Sequence, residues 1–222
     1  MRARGGTDKQ IISLYKEELV ALNKRVDAYE RKMEDSFAAF LGLIATLVEI
    51  RDAYTFGHSL RVSNLSGALA ERLGFPPDVV SHIGQACLMH DIGKVRTADA
   101  VLLKVGRLSS EEVAVMRRHP EDGAEILNRL PVFRKYLPII RCHHERYDGK
   151  GYPAGIKGED IPASARVVAI ADAYDAMTTN RPYRGAMTKE EAVVEIISCR
   201  GSQFDPKFGS KFAEMISSGG EQ

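Results

Sequence analysis

The chain has 222 residues, 44% of them hydrophobic and 27% charged, and its 31 basic and 30 acidic residues leave a formal net charge of +1. That balance excludes a bulk electrostatic attraction to a nucleic acid polymer or a membrane surface, while the apolar fraction is enough for a packed core. The three cysteines have no CxxC spacing, and the residues after Met1-Arg2-Ala3-Arg4 are polar where a signal peptide would be apolar, so a cytoplasmic protein with reduced thiols is expected.

The chain opens on a predicted long helix. Ile12, Tyr15, Leu19, Leu22, Val26, Tyr29 and Met33 alternate three and four residues apart, the a/d seam of a coiled coil, with charged residues on the other faces. This seam predicts a homodimer through the N-terminal helix. After Met33 the apolar series reads Phe37, Phe40, Ile44 and Leu47, with two four-residue steps in succession, which is a stutter. A second, more apolar helix is therefore expected to take over near Ser36. That places the domain boundary between a coiled-coil, signalling segment at 1–36 and a helical domain at 37–222. The most apolar stretch, Phe37 to Val48, is too short to cross a bilayer and predicts a packed helix.

Nearly everything that follows reads as helix. His58 to Leu73 has helical spacing and stops at Gly74, ahead of Pro76-Pro77; Asp78 to Met89 follows. Ser109 with Glu112, and Thr188 with Glu191, have the spacing of capping boxes. Further helices are predicted at Glu121 to Arg129, Val132 to Cys142, Ala165 to Thr178, Lys189 to Cys199 and Pro206 to Ile216. Val101-Leu102-Leu103 is the only strand candidate, so the fold class is all-α. The linkers at 91–108 and 144–164 are long for a compact domain and directly follow histidine clusters, which marks them as functional.

Five of the six histidines fall in four clusters: Gly57-His58-Ser59, His90-Asp91-Ile92-Gly93-Lys94, His119-Pro120 and His143-His144-Glu145. Imidazole and carboxylate are the side chains that hold first-row metals, and a carboxylate beside a histidine can bridge two ions. Asp172 lies in the apolar run Val167 to Ala171, where an unpaired carboxylate would be costly. Taken singly, each cluster has a plainer reading. His90-Asp91 could be a helix end with a glycine stop and a solvated lysine. His143 could be a core residue and His144 a surface one. His58 and His119 could be ordinary residues at helix starts, and Arg181 and Arg184 a solvated loop.

Their order along the chain changes the balance. Gly57 through Val62, His90 through Lys94, His119-Pro120, His143 through Pro153, Asp172 through Ala176, Arg181-Pro182-Tyr183-Arg184 and Gly201 through Pro206 together resemble the HD-GYP domain, a branch of the HD phosphohydrolase superfamily. The resemblance covers roughly residues 49–212. It implies an HD-type helical domain acting as a cyclic di-GMP phosphodiesterase, with a metal-activated hydroxide attacking phosphorus to give linear pGpG and, in some members, GMP. It implies two transition-metal ions, iron or manganese. His58, His90, Asp91 and Asp172 would hold one, and His119, His143 and His144 the other, with Asp91 bridging. Three-metal members have an extra carboxylate four residues before the first histidine; here that position is Tyr54, so two ions are expected. Lys94 would contact phosphate and help protonate the leaving group. Arg181 and Arg184 would bind phosphate, and Tyr152 would face the substrate. Implied partners are cyclic di-GMP and a diguanylate cyclase or an upstream sensor, with no nucleic acid polymer and no membrane. Two alternatives stay open: the same chemistry on another cyclic dinucleotide such as cyclic GMP-AMP, or a non-catalytic module that binds a diguanylate cyclase.

Overall fold

The computed structural model of the chain describes residues 5–51, 57–180 and 185–218, with side chains from residue 12 onward. Tyr54, Arg181 and Arg184 lie outside the described residues. The helices, in order, are α1 (Gly5–Arg51), α2 (His58–Arg72), α3 (Pro77–Cys87), α4 (Asp99–Leu102), α5 (Ser110–Met116), α6 (His119–Asn128), α7 (Leu137–Cys142), α8 (Ala163–Thr178), α9 (Lys189–Ser198) and α10 (Pro206–Ser218). Short 3-10 turns occupy Ile92–Arg96, Pro131–Tyr136 and Gly158–Asp160. No strand occurs among the described residues; the one β-bridge joins Arg200 and Phe204. None of the helices described is long and apolar enough to cross a membrane.

The chain forms two units, Met1–Phe40 and Leu41–Gln222. In the first, Ile12, Tyr15, Leu19, Leu22, Val26, Tyr29 and Met33 are all exposed. The expected change to a second helix near Ser36 does not occur, because α1 continues unbroken to Arg51. Between Ile12 and Arg51 there is no proline, and Gly42 is the one glycine, so nothing interrupts the hydrogen-bond ladder. The apparent stutter mixes two faces of one helix. Leu41, Ala45 and Val48 are buried, Phe40 and Leu47 are exposed, and Phe37 and Ile44 lie between.

The core of the second unit is organised by α8. Ala165, Val167, Val168, Ile170, Ala171 and Tyr174 are all buried, so this helix is covered on nearly every side. It packs on α2, α7, α9 and α10, and α2 packs in turn on α3. That central position is what carries Asp172 and Asp175 into the interior. The expected capping boxes form at Ser109–Glu112 and Thr188–Glu191 and start α5 and α9. The strand candidate at Val101 is helical instead. The amides of Val101 and Leu103 bond back to the carbonyls of Ala98 and Asp99, and so short a segment is satisfied locally. The helix expected from Val132 to Cys142 divides into the 3-10 turn Pro131–Tyr136 and α7, with Pro138 in the first turn of α7, where its missing N–H costs nothing.

A close backbone approach joins the segment after His90-Asp91 to α6. A Cβ on Gly93 would collide with the carbonyl oxygen of His119 and the amide nitrogen of Gly123, and one on Gly123 would press on the Gly93 nitrogen at 3.1 Å. Only glycine allows this contact, and it brings Asp91 beside His119. Gly93→Ala is therefore expected to lower stability by about 1–3 kcal/mol through overpacking. Gly42→Ala, where a new Cβ meets nothing within 4 Å, should raise it by about 0.5–1 kcal/mol through helix propensity. Urea unfolding of both variants checks the opposite signs.

Candidate metal centre

Three histidines are oriented by the same local device. The last carbonyls of a helix have no intrahelical donor, and a histidine three residues downstream can supply one. His90 Nδ1 meets the Cys87 carbonyl at 2.6 Å, at the end of α3. His119 Nδ1 meets the Met116 carbonyl at 2.9 Å, at the end of α5, and His143 Nδ1 meets the Ile140 carbonyl at 2.7 Å, in α7. A carbonyl only accepts, so each Nδ1 carries the proton and, in a neutral ring, Nε2 presents its lone pair. His58, at the start of α2, is held by the Asp175 carboxylate at 2.7 Å from its Nδ1.

The Nε2 atoms then face one another. His58 and His90 bring theirs to 3.3 Å, and His119 and His143 to 3.2 Å. Asp91 lies between the two pairs. Its Oδ1 is 3.3 Å from His119 Nε2, and its Oδ2 is 3.5 Å from His90 Nε2 and 4.0 Å from His58 Nε2. Asp172 Oδ1 approaches His58 Nε2 at 3.3 Å, and its Oδ2 lies 3.9 Å from His144 Nδ1. Three groups of donor atoms each fall within 4.8 Å of one another: His58, His90 and Asp172; His119, His143 and His144; and His90, Asp91 and His143. All seven residues expected to be ligands are thus brought to one place.

The electrostatics fit a cation. Burial drives down the basicity of His119, His143 and His144, and their mutual repulsion adds to it for His143, so these rings are neutral at neutral pH, with one N–H each; His144 falls to about 4. Burial alone would raise the two carboxyls. Lys94 and the surrounding imidazoles hold Asp91 well below the carboxylate range, and His58 does the same for Asp172. Burial also works against a charge on His58, but its bonds to Asp172 and Asp175 prevail and lift it to about 10. A proton there occupies a position of negative potential. Opposed lone pairs beside two anionic carboxylates form a donor set suited to divalent first-row metals.

The walls of the site are fixed by residues outside the donor set. Asp175 binds His58 through one oxygen and Arg61 Nε through the other, at 2.5 Å. Glu49, buried near the end of α1, accepts from the amides of Gly57 and Ser59, both at 2.7 Å. It caps α2 where Gly57 has no side chain to do so, directly beside His58. Arg51 reaches the carbonyls of Val95 at 3.0 Å and Thr97 at 3.2 Å and pairs with Asp99 at 2.6 Å, gripping the turn that follows Asp91.

A cavity of about 770 Å³ opens over the cluster, within the range of roughly 300–1,000 Å³ typical of small-molecule sites. Lys94 lines it and pairs with Asp91 Oδ2 at 2.8 Å. Tyr152 stacks over His144, with ring centroids 4.8 Å apart and planes tilted by 30°. Its loop is ordered by Glu145, whose Oε1 accepts from the amides of Ala154 and Gly155, and by the Tyr147 and Asp148 amides, which bond the carbonyls of Gln203 and Ser202. Arg146 and Lys150 help hold Asp148, down to about 2. Cys87 and Cys142 are pushed up by burial, to about 12 and about 11, which leaves them inert packed thiols.

Arg117 is a residue the sequence reading missed. It lines the cavity with its guanidinium 5.2 Å from the centre of the Tyr152 ring. Its position two residues before His119 was the available signal. Glu49 and Arg51 were missed as well, since their role depends on contacts with amides and carbonyls that carry no sequence signature.

The HD domain family matches residues 9–208 of the chain. Over 196 residues the chain is 40% identical to the cyclic di-GMP phosphodiesterase response regulator RpfG of Xanthomonas campestris pv. campestris, covering 86% of this chain and 51% of that protein. Over 166 residues it is 39% identical to 3′3′-cGAMP-specific phosphodiesterase 2 of Vibrio cholerae, covering 74% of this chain and 32% of that protein. The fold is shared with Bd1817, an HDG"Y"P protein from Bdellovibrio bacteriovorus, at a TM-score of 0.63 and 23% identity, over 83% of this chain and 62% of that one. The chain therefore spans about half the length of the first relative and about a third of the second.

Because Asp175 fixes the ring that shares a donor group with His90 and Asp172, Asp175→Asn should weaken manganese binding by about 10–100-fold, the usual effect of losing such a partner. Calorimetric titration of the metal-free protein checks this; unchanged affinity would remove Asp175 from the site.

Proposed function

The chain belongs to the HD domain family, and from that premise we propose that it is a metal-dependent phosphodiesterase of the HD-GYP type that hydrolyses cyclic di-GMP to linear pGpG, the product that some members of the type carry on to GMP. The observation that carries the proposal is the convergence of five imidazoles and two carboxylates, with Nε2 atoms paired at 3.2 and 3.3 Å, at the floor of an open cavity. His58, His90, Asp91 and Asp172 would hold one ion and His119, His143 and His144 a second, with Asp91 common to both. The family resemblance implies iron or manganese, and a mixed set of imidazoles and carboxylates accepts either. Two bound cations would supply Lewis acidity, making a water nucleophilic at neutral pH and neutralising charge on the phosphoryl oxygens.

The protein's own groups do the rest. The helix-end carbonyls keep each Nδ1 protonated, so the donor atoms stay aimed inward without reorganisation. In hydrolysis the water oxygen bonds to phosphorus, the bond to the 3′-oxygen breaks, and that oxygen takes a proton. Lys94 is the cation at the cavity floor able to meet a phosphoryl oxygen and to donate that proton. Tyr152, backed by His144 and faced by Arg117, offers a flat ring for a guanine base. Arg181 and Arg184 are assigned to phosphate by the motif they share with the family.

Residues 1–36 would act as the coiled-coil, signalling segment and 37–222 as the catalytic domain. Two copies would join through α1 in the bacterial cytoplasm, coupled to an upstream sensor or a diguanylate cyclase.

Elemental analysis and product chromatography test this together. Wild-type protein should carry about two transition-metal ions per chain and release pGpG from cyclic di-GMP. His90→Ala should lose metal and slow turnover by more than about 100-fold. Faster turnover of cyclic GMP-AMP would move the assignment to that substrate, and metal-loaded protein that cleaves neither dinucleotide would remove the enzymatic reading.

A further inference from the structure

The exposed apolar residues of α1 do not end at Phe40. Counting in heptads from Ile12, the a positions are Ile12, Leu19, Val26, Met33, Phe40 and Leu47, and the d positions are Tyr15, Leu22, Tyr29, Ser36, Leu43 and Ile50. The spacing of three and four holds without a break over all twelve, and Ser36 is the one polar member. The buried residues Leu41, Ala45 and Val48 fall instead at b, f and b. The domain therefore takes the outer face of the helix and leaves the a/d face uncovered. On that face Phe40, Leu43, Leu47 and Ile50 are 53%, 56%, 58% and 67% exposed. A helix lying on a globular domain normally turns polar residues outward, so four large apolar side chains in strict register there require a covering surface.

The charges indicate what covers it. Arg25 stands at g and Glu30 at e of the next heptad, the two positions that face each other across a parallel two-stranded seam. In a parallel pair of identical chains, Arg25 of each copy meets Glu30 of the other, twice by symmetry. We infer that a second copy of this chain covers the whole a/d face, so that one parallel, in-register interface runs from Ile12 to Ile50 and ends on the helical turn that holds Glu49 and Arg51. The inference rests on the homodimer proposed above and extends it by two heptads. The contact between copies then reaches Ile50, flanked by the glutamate that caps α2 beside His58 and the arginine that grips the turn after Asp91.

Cysteine cross-linking of the full chain in a Cys199→Ser background tests it, since a symmetric disulfide needs Cα atoms about 4.4–6.8 Å apart. Leu43→Cys and Ile50→Cys, both at d, should each oxidise to a covalent dimer as completely as Tyr15→Cys, while Glu34→Cys, at b, stays monomeric on a non-reducing gel. Arg25→Glu should weaken dimerisation in sedimentation equilibrium, and adding Glu30→Arg should restore it. If Tyr15→Cys links but Leu43→Cys and Ile50→Cys do not, the homodimer stands and the extended interface is overturned. If none links, or Glu34→Cys links equally well, the register itself is overturned.

Discussion

The site depends on a conflict between unshared electron pairs. Helix-end carbonyls at Cys87, Met116 and Ile140 each take the Nδ1 proton of a histidine three residues later. That leaves the Nε2 lone pairs of His119 and His143 pointing at each other across 3.2 Å beside Asp91, while His90 Nε2 faces the protonated His58 at 3.3 Å beside Asp172. Such an arrangement is unfavourable in an empty, low-dielectric interior and becomes favourable around positive charge. His58, whose proton is kept by two carboxylates, and Lys94, paired with Asp91, bring positive charge to the cluster.

The rest of the domain serves to keep that conflict from relaxing. If the carbonyl anchors could give, the rings would rotate apart. They are held because Cys87 and Ile140 lie on helices with buried faces, because His119 is itself buried at the start of α6, and because α8, covered on nearly all sides, presents Asp172 and Asp175 to the same cluster. Gly93 and Gly123 bring the two halves of the donor set within reach; a Cβ on Gly93 would collide with the His119 carbonyl and the Gly123 amide, and one on Gly123 would press on the Gly93 nitrogen at 3.1 Å. The Tyr152 loop is pinned separately, by the buried carboxylate of Glu145 and by the chain around Gln203, so the lining of the cavity and the donors beneath it are fixed by different elements.

Much of this was legible in the sequence. The clusters at His90, His119 and His143 announced the donor positions, whereas the tautomers were not legible, because they depend on bonds to the carbonyls of Cys87, Met116 and Ile140. Asp172 was legible for the opposite reason, as a carboxylate in a run that otherwise reads as core. The capping pairs Ser109–Glu112 and Thr188–Glu191 were local and therefore readable. What failed was the division of α1. Periodicity adds up all apolar residues, and where one helix has two apolar faces the sum imitates a change of register. Only burial separates Leu41, Ala45 and Val48 from Phe40, Leu43, Leu47 and Ile50. Glu49 and Arg51 were hidden because they bind backbone amides and carbonyls, which every sequence has.

Those two residues give the long helix a mechanical meaning. A carboxylate bound to two amides at the start of α2 resists both sliding and rotation of that end, and a guanidinium spread over the carbonyls of Val95 and Thr97 does the same for the turn after Asp91. Both side chains belong to the last turn of α1. A rotation of that turn cannot be absorbed by one contact alone, because Glu49 and Arg51 face different elements of the donor set. Losing the buried bond from the Ser59 amide to Glu49 would cost about 1–3 kcal/mol. The last turn of α1 is thereby tied by hydrogen bonds both to the start of α2, which carries His58, and to the turn that follows Asp91.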